Sequence, residues 1–302
     1  MADLSVNIAG VEFKNPIIAA SGTIGFGHEY SEFYPLSVFG GISCKGTTLK
    51  ERPGNPPPRI AETPMGMLNA VGLQNPGVEH FIKYDLPWLK QQDTVAIANV
   101  AGSTAEDYCK MAEILSDTDI DMIELNISCP NVKEGGVQFG TSCESVAAIT
   151  KAVRAHCKKP LIIKLSPNVS DIASIAMAAE SEGADAVSLI NTLTGMRIDI
   201  NTRKPIIANI TGGMSGPAVF PVAVRMVWQV KKAVKIPVIG MGGITTWKDA
   251  VEMMMAGADA MQIGTALFTD PYSPVKIAEG LNAYLDKNGM KSVAELTGTV
   301  IC

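Results

Sequence analysis

Residues 160–191 read PLIIKLSPNVSDIASIAMAAESEGADAVSLIN. Pro160–Leu165 is a short apolar run carrying one lysine, Lys164, and Asp171–Glu182 places apolar residues at helical spacing. Ala186–Asn191 is a second short run that ends on an asparagine. A run, a helix and a run of these lengths make the βαβ unit of a parallel sheet. The pattern continues in both directions. Further strands are expected at Ile17–Ala20, Gly41–Cys44, Thr94–Asn99, Met122–Ile127, Pro237–Gly240 and Ala260–Ile263, and helices at Thr104–Leu115, Glu144–His156, Ala218–Val234 and Thr246–Ala256. Eight strands alternating with helices predict an α/β fold, a (β/α)8 TIM barrel, with residues 1–302 forming one domain. Leu4–Phe13 reads as an N-terminal hairpin turning at Ala9-Gly10 and capping the barrel's base. Two connections, Gly46–Asn75 with its proline-rich stretch Arg52–Pro58 and Leu193–Gly216, exceed what a simple link needs. Both follow strands at the same end, so long loops are expected to wall a pocket over the C-terminal face.

Composition narrows the classes of function. In 302 residues, 47% hydrophobic and 18% charged, there is ample apolar material for a core and none of the charge density of a disordered chain. Lysine and arginine total 25 against 30 acidic residues, a net charge of −5, and no basic run is dense enough to neutralise a phosphate backbone. Nucleic acid is therefore not an expected partner. The opening Met1-Ala2-Asp3-Leu4 has no basic region followed by an apolar stretch, so no signal peptide or N-terminal membrane anchor is expected. The uncharged segment Pro205–Val224 is interrupted by prolines and glycines and reads as loop, then helix, not as a membrane span. Six cysteines without a C-x-x-C pair suit a reducing compartment, and a cytoplasmic location is expected. Three histidines, none in an H-E-x-x-H arrangement, do not suggest a metal site.

In a barrel of this kind the chemistry stands at the carboxyl ends of the strands. Those positions hold Ser21-Gly22, Lys45-Gly46, Asn99, Asn126 with the loop Ser128-Cys129-Pro130-Asn131, Lys164, Asn191-Thr192, Gly242-Gly243 and Gly264-Thr265. Glycines after the last two strands, each ahead of a helix, let backbone N–H groups approach an anion at a helix N-terminus, the usual phosphate site of the fold. Tight strand-to-helix turns would use the same glycines. Two lysines aimed into one end of a barrel need an anionic partner. A flavin supplies one, because its reduced ring carries negative charge near N1 and O2 that Lys164 would favour. A salt-bridged lysine, or a Schiff-base lysine between apolar Ile163 and Leu165, is the alternative. Asn69, Asn126, Asn131 and Asn191 offer paired donors and acceptors without charge, the complement of a pyrimidine-like cyclic amide, although asparagines also make local turns. Cys129 leaves its strand in a loop where Pro130 prevents further pairing. A thiol with an ordinary pKa of about 8.5 near a lysine suits a base for a weakly acidic carbon. Cys44, beside Lys45, is the second candidate, whereas Cys109, Cys143, Cys157 and Cys302 read as small buried or surface residues.

The runs Asn126–Asn131, Asn69-Ala70-Val71-Gly72-Leu73-Gln74-Asn75 and Asn191-Thr192 resemble the dihydroorotate dehydrogenases, and the likeness extends over nearly the whole chain. Cysteine at the base position resembles class 1. Lys45–Thr48, Arg52–Arg59, Lys133–Gly136 and Gly195–Asp199 are similar to class 1B within it. The resemblance implies one FMN per chain, on Ser21, Lys45, Gly46, Asn99, Asn126, Lys164, Ile190, Gly216, Gly242, Gly243, Gly264 and Thr265. It implies a substrate held by Lys45, Asn69, Ala70, Val71, Gly72, Leu73, Asn126, Asn191 and Thr192, beneath a loop carrying Cys129 and Asn131. Cys129 would take the C5 proton of dihydroorotate while hydride leaves C6 for flavin N5, giving orotate in pyrimidine biosynthesis. Electrons would leave through a partner subunit carrying FAD and a [2Fe–2S] cluster to NAD+, around a homodimer core of a heterotetramer.

Two features agree with a need for that partner. Gly240-Met241-Gly242-Gly243-Ile244-Thr245 ends in threonine where a G-x-G-x-x-G dinucleotide fingerprint requires glycine, and no cysteine spacing suits a cluster. The stretch Pro217–Val234 carries more apolar residues than one buried stripe needs, which leaves a subunit contact and a deeply buried helix both open. The chain departs from the resemblance at Cys44, where an aliphatic residue is expected and a second thiol would stand near the flavin. The rival readings are a fumarate-linked class 1A enzyme, a Schiff-base aldolase using Lys164, and a non-catalytic subunit that binds a phosphate ligand.

Overall fold

The structure, a computed structural model, describes residues 2–127 and 139–301. Eight parallel strands close on themselves: β1 Ile17–Ala19, β2 Gly41–Ser43, β3 Val95–Val100, β4 Met122–Asn126, β5 Leu161–Lys164, β6 Ala186–Leu189, β7 Val238–Met241 and β8 Ala260–Ile263. Each pairs with its neighbours in sequence, and β8 returns to β1. The fold is the expected (β/α)8 barrel, with every strand end within two residues of its expected position. These strands are buried on both faces, which is why they read as continuous apolar runs without alternation.

The longer helices are α1 Ala105–Ser116, α2 Cys143–Arg154, α3 Ile172–Ser181, α4 Phe220–Ala233, α5 Trp247–Met255 and α6 Ser273–Lys287. The last was not expected from the sequence. Several start on side-chain caps: Thr104 with Asp107, Ser142 with Ser145, Asp171, and Thr246 with Asp249. Helix α4 is neither deeply buried nor laid bare. Ala223, Met226, Val227 and Val230 face the core, while Phe220, Val222, Val224 and Trp228 are half-buried, and the Lys232 ammonium covers the Trp228 ring at 3.8 Å. Among the described residues no helix is long and apolar enough to cross a membrane.

Both ends of the barrel are closed. At the base, Val6–Ile8 pairs with Val11–Phe13 through a turn at Ala9 and Gly10, whose φ values of 53° and 85° match the right-handed twist of a two-residue hairpin. Fully buried Phe13 packs against Gly41 at the start of β2, where a Cβ would stand 2.6 Å from its ring. At the opposite end the structure differs from expectation. The two long connections are not merely loops. Ile60–Thr63, Gly66–Asn69, Thr211–Ser215 and Leu193–Met196 form one antiparallel sheet in which Gly213 lies opposite Asn69 and Met214 opposite Leu68. The segment after Pro205 thus contains a strand before its helix. Chain portions separated by more than a hundred residues satisfy each other's backbone groups across the barrel mouth, a pairing no local sequence signal announces.

Candidate active site

The lid sheet and the strand ends enclose a cavity lined by Ser21, Lys45, Gly46, Asn126, Lys164, Ile190, Gly242, Gly243, Gly264 and Thr265 on the barrel side. Asn69, Val71, Gly72, Leu73, Asn191 and Thr192 line it from the lid and the β6 exit. Most of the expected site residues therefore meet at one mouth. Of the others, Asn99 lies below the floor, Ala70 is fully buried behind the lid loop, and Gly216 presents its carbonyl beside Gly243. Cys129 and Asn131 lie outside the described residues.

Local chemistry sets these positions. Asn55 clamps the lid loop, donating its side-chain amide to the Ala70 carbonyl at 2.9 Å and its backbone N–H to Val71. Gly72 and Leu73 then turn with positive φ, 75° and 58°, bringing the loop back over the cavity. Asn191 donates to Asn126 Oδ1 at 3.2 Å and accepts from the Thr192 N–H at 2.8 Å, so two amide side chains and a threonine form one linked edge. The Asn126 carbonyl is in turn held by the Tyr108 hydroxyl of α1.

The floor holds a residue that sequence reasoning missed. Glu124, two positions before Asn126 on β4, is completely buried inside the barrel. Its Oε1 accepts from Ser188 Oγ at 2.7 Å and Gln262 Nε2 at 2.6 Å, and its Oε2 from Ser43 Oγ at 2.7 Å and Asn99 Nδ2 at 2.6 Å. The Lys164 ammonium stands 4.0 Å from Oε2. Burial alone would raise the carboxyl's pKa, but Lys164 and the hydrogen bonds from Ser43, Ser188 and Gln262 outweigh it and hold the group below its ordinary value. Strand alternation was the available signal. Glu124 and Asn126 point the same way, as do Ser43 and Lys45, and Gln262 and Gly264.

That alternation also corrects the reading of Cys44. Between inward Ser43 and Lys45, its side chain turns to the other face and is fully buried in the apolar core. Burial first, then the charge of Asp85, pushes its thiol far up. Cys44 is neither a base candidate nor a second thiol lining the cavity.

The glycines divide into two kinds. Gly242 and Gly243 have φ of 124° and 75°, and a Cβ at Gly243 would stand 2.8 Å from both the Gly216 carbonyl and Phe220 Cβ. The turn alone requires them. Gly264 is different: its φ lies outside the left-handed region, and among the described residues a Cβ there would meet only Ala20 and Thr23 at 3.5 and 3.6 Å, ordinary contact distances. No contact among the described residues requires glycine at 264, which leaves open space before it on the cavity lining. At α5 the Asp249 carboxylate accepts from the N–H groups of Thr245 and Thr246, just ahead of the helix, and the Asp249 N–H donates to Thr246 Oγ1.

These features fit flavin mononucleotide. Gln262 Oε1, in a floor that also carries Lys164, and Asn99 Oδ1, beside Gly46, are buried carbonyl oxygens without a hydrogen-bond partner among the described residues. Such acceptors call for a donor, and a flavin's pyrimidine ring has one.

Comparisons with known proteins agree. A family model described as dihydroorotate dehydrogenase matches residues 3–285. The dihydroorotate dehydrogenase B (NAD(+)) catalytic subunit of Bacteroides thetaiotaomicron is 60% identical over 301 residues, 99% of each chain. The protein of the same description from Bacteroides fragilis is 59% identical over 301 residues, again 99% of each. That from Alkaliphilus oremlandii is 56% identical over 296 residues, 98% of each.

Proposed function

The chain belongs to the dihydroorotate dehydrogenase family, and on that premise we propose that its cavity binds FMN and dihydroorotate within one barrel domain and oxidises dihydroorotate to orotate in pyrimidine biosynthesis. The observation that carries this reading is the convergence of Lys45, Lys164, Asn126 and Asn191 on one mouth, in front of a glycine that no contact among the described residues requires. When bound, FMN would supply the acceptor for the hydride that leaves substrate C6.

The chain's own residues do the rest. Lys45 balances the charge of the substrate carboxylate, while Asn69, Asn126, Asn191 and Thr192 match the ring's alternating C=O and N–H groups. The backbone from Ala70 to Leu73 closes over the ring. This lid excludes water, so that a proton removed from C5 returns slowly and the charge of Lys45 is felt strongly. Cys129 takes that proton, the electron pair of the broken C5–H bond forming the C5–C6 double bond as hydride leaves C6, and Asn131 is assigned to the substrate with it. Ser21, Gly46, Asn99, Ile190, Gly216, Gly242, Gly243, Gly264 and Thr265 would hold the nucleotide, and Lys164 would supply a cation that favours its reduced ring. The ion pair with Glu124 speaks against a Schiff-base role, because a neutral Lys164 amine would leave a buried carboxylate unpaired.

The relatives' description as NAD(+)-linked catalytic subunits supports an electron-transfer partner. We assign FAD and a [2Fe–2S] cluster to that partner, NAD+ as final acceptor, a homodimer core within a heterotetramer, and a cytoplasmic site of action. The purified chain is expected to be yellow and to bleach anaerobically when dihydroorotate is added. Cys129→Ala should keep the colour and lose turnover by roughly 10²–10⁴-fold. A colourless protein that gains no FMN on titration, or a Cys129→Ala variant with unchanged turnover, would overturn the respective assignment.

A further inference from the structure

We propose that Glu124 is a positioning residue of the flavin site, whose fixed negative charge offsets Lys164 and fixes the Gln262 carbonyl oxygen on the cavity lining and the Asn99 carbonyl oxygen toward Gly46, making reduced flavin less stable than Lys164 alone would make it. This rests on the reading of the cavity as an FMN site. The geometry argues for the charge. Four groups from β2, β3, β6 and β8 approach Glu124, two at each oxygen, at 2.6–2.7 Å, and all four donate. A carboxylate accepting four donors has its lone pairs filled, and reversing either amide would set oxygen against oxygen.

The same four bonds fix what the amides do on their other side. With its Nδ2 given to Glu124, Asn99 presents Oδ1 toward Gly46, at 3.0 Å from where a Cβ of that residue would stand. Gln262 gives its Nε2 likewise and presents Oε1, on a side chain that lines the cavity. Both oxygens are buried and lack a partner among the described residues. Glu124 thus converts two ambivalent amides into acceptors of fixed direction, at no cost in reorganisation when the cofactor arrives.

The electrostatic consequence has a definite sign. A buried ammonium beside the ring favours the electron-rich reduced state. An ionised carboxylate 4.0 Å behind that ammonium cancels much of its field. Electrons that must move on to another carrier leave more readily from a donor that is not over-stabilised.

The test is the FMN midpoint potential, measured by equilibration with reference dyes on the holoprotein, alongside the FMN dissociation constant. Glu124→Gln keeps the side chain's shape; its new amide faces one serine hydroxyl, which can rotate to accept, and one amide, Gln262 or Asn99, which must turn over. Its two-electron reduction should become more favourable by tenfold or more, ~30 mV, while Glu124→Asp, which keeps the charge, should return the potential toward wild type. A Glu124→Gln potential at or below wild type overturns the proposal, as does an equal shift in Glu124→Asp, which would mark mere disturbance. Should Glu124→Gln fail to retain FMN, Ser43→Ala and Ser188→Ala decide: each strips one donor and leaves the charge, so the potential must stay level or fall, and a rise refutes the idea. A wild-type protein that binds no FMN would instead overturn the site assignment itself, an outcome distinct from all of these.

Discussion

Replacing Gly264 by alanine separates a glycine kept for the fold from one kept for a ligand. Among the described residues a Cβ at this position would touch only Ala20 and Thr23, at 3.5 and 3.6 Å, and the backbone there is not left-handed. The protein without cofactor should therefore tolerate the methyl group, and reduced freedom in the unfolded chain should raise stability by ~0.4–1 kcal/mol. The cofactor should not tolerate it. A methyl group forced into a filled site costs ~1–3 kcal/mol, which is roughly 5- to 150-fold in the FMN dissociation constant. Gly243→Ala provides the contrast. Its φ of 75° and the contacts at 2.8 Å to Gly216 and Phe220 should destabilise even the cofactor-free protein, by ~2 kcal/mol or more. Denaturant unfolding of the cofactor-free proteins and flavin-fluorescence titration measure the two effects separately. If Gly264→Ala binds FMN as tightly as wild type, or unfolds more easily without it, the space before Gly264 has been misread.

The Glu124–Lys164 pair predicts an inverted response to pH. In the wild type the Glu124 carboxyl is held below its ordinary value, so its stabilisation is present above the unfolded carboxylate pKa and is lost as pH falls through the folded one. Lys164→Met removes the charge that opposes desolvation, which should cost ~3–5 kcal/mol near neutrality and push Glu124 upward. Stability should then rise as pH falls from neutrality toward the unfolded carboxylate pKa, and thermal unfolding that shows no such rise would contradict the pairing. Cys44→Ala should leave dihydroorotate turnover unchanged while lowering stability by roughly 1 kcal/mol, because its thiol is packed in the core. Lost turnover in a folded Cys44→Ala protein would return that residue to the list of bases.

How far the site could be read in advance follows from the geometry of a strand. Lys45, Asn126 and Lys164 stand at the ends of apolar runs, where a charged or amide side chain is conspicuous, and all three line the cavity. Glu124 was hidden in the middle of such a run, since one carboxylate among buried residues looks like any mid-strand position until its partners are known. Those partners come from β2, β3, β6 and β8 and meet only when the barrel closes. Cys44 was misjudged for a related reason: adjacency to Lys45 in sequence means opposition in a strand. The capping of α5 was legible, as threonine at 246 with aspartate three residues on is a capping-box pattern.

What the sequence determined by itself was the order and length of the eight strands, the base hairpin and the residues at the strand ends, because hydrophobic spacing and turn residues act over a few positions. Only the tertiary structure decided that Gly66–Asn69 and Thr211–Ser215 pair as one lid, and that a single buried carboxylate gathers Ser43, Asn99, Lys164, Ser188 and Gln262 beneath it. Hydrogen bonds and ion pairs between distant segments leave no periodic trace in the chain that makes them. They exist only once closure of the barrel has brought their atoms within about 3–4 Å of one another.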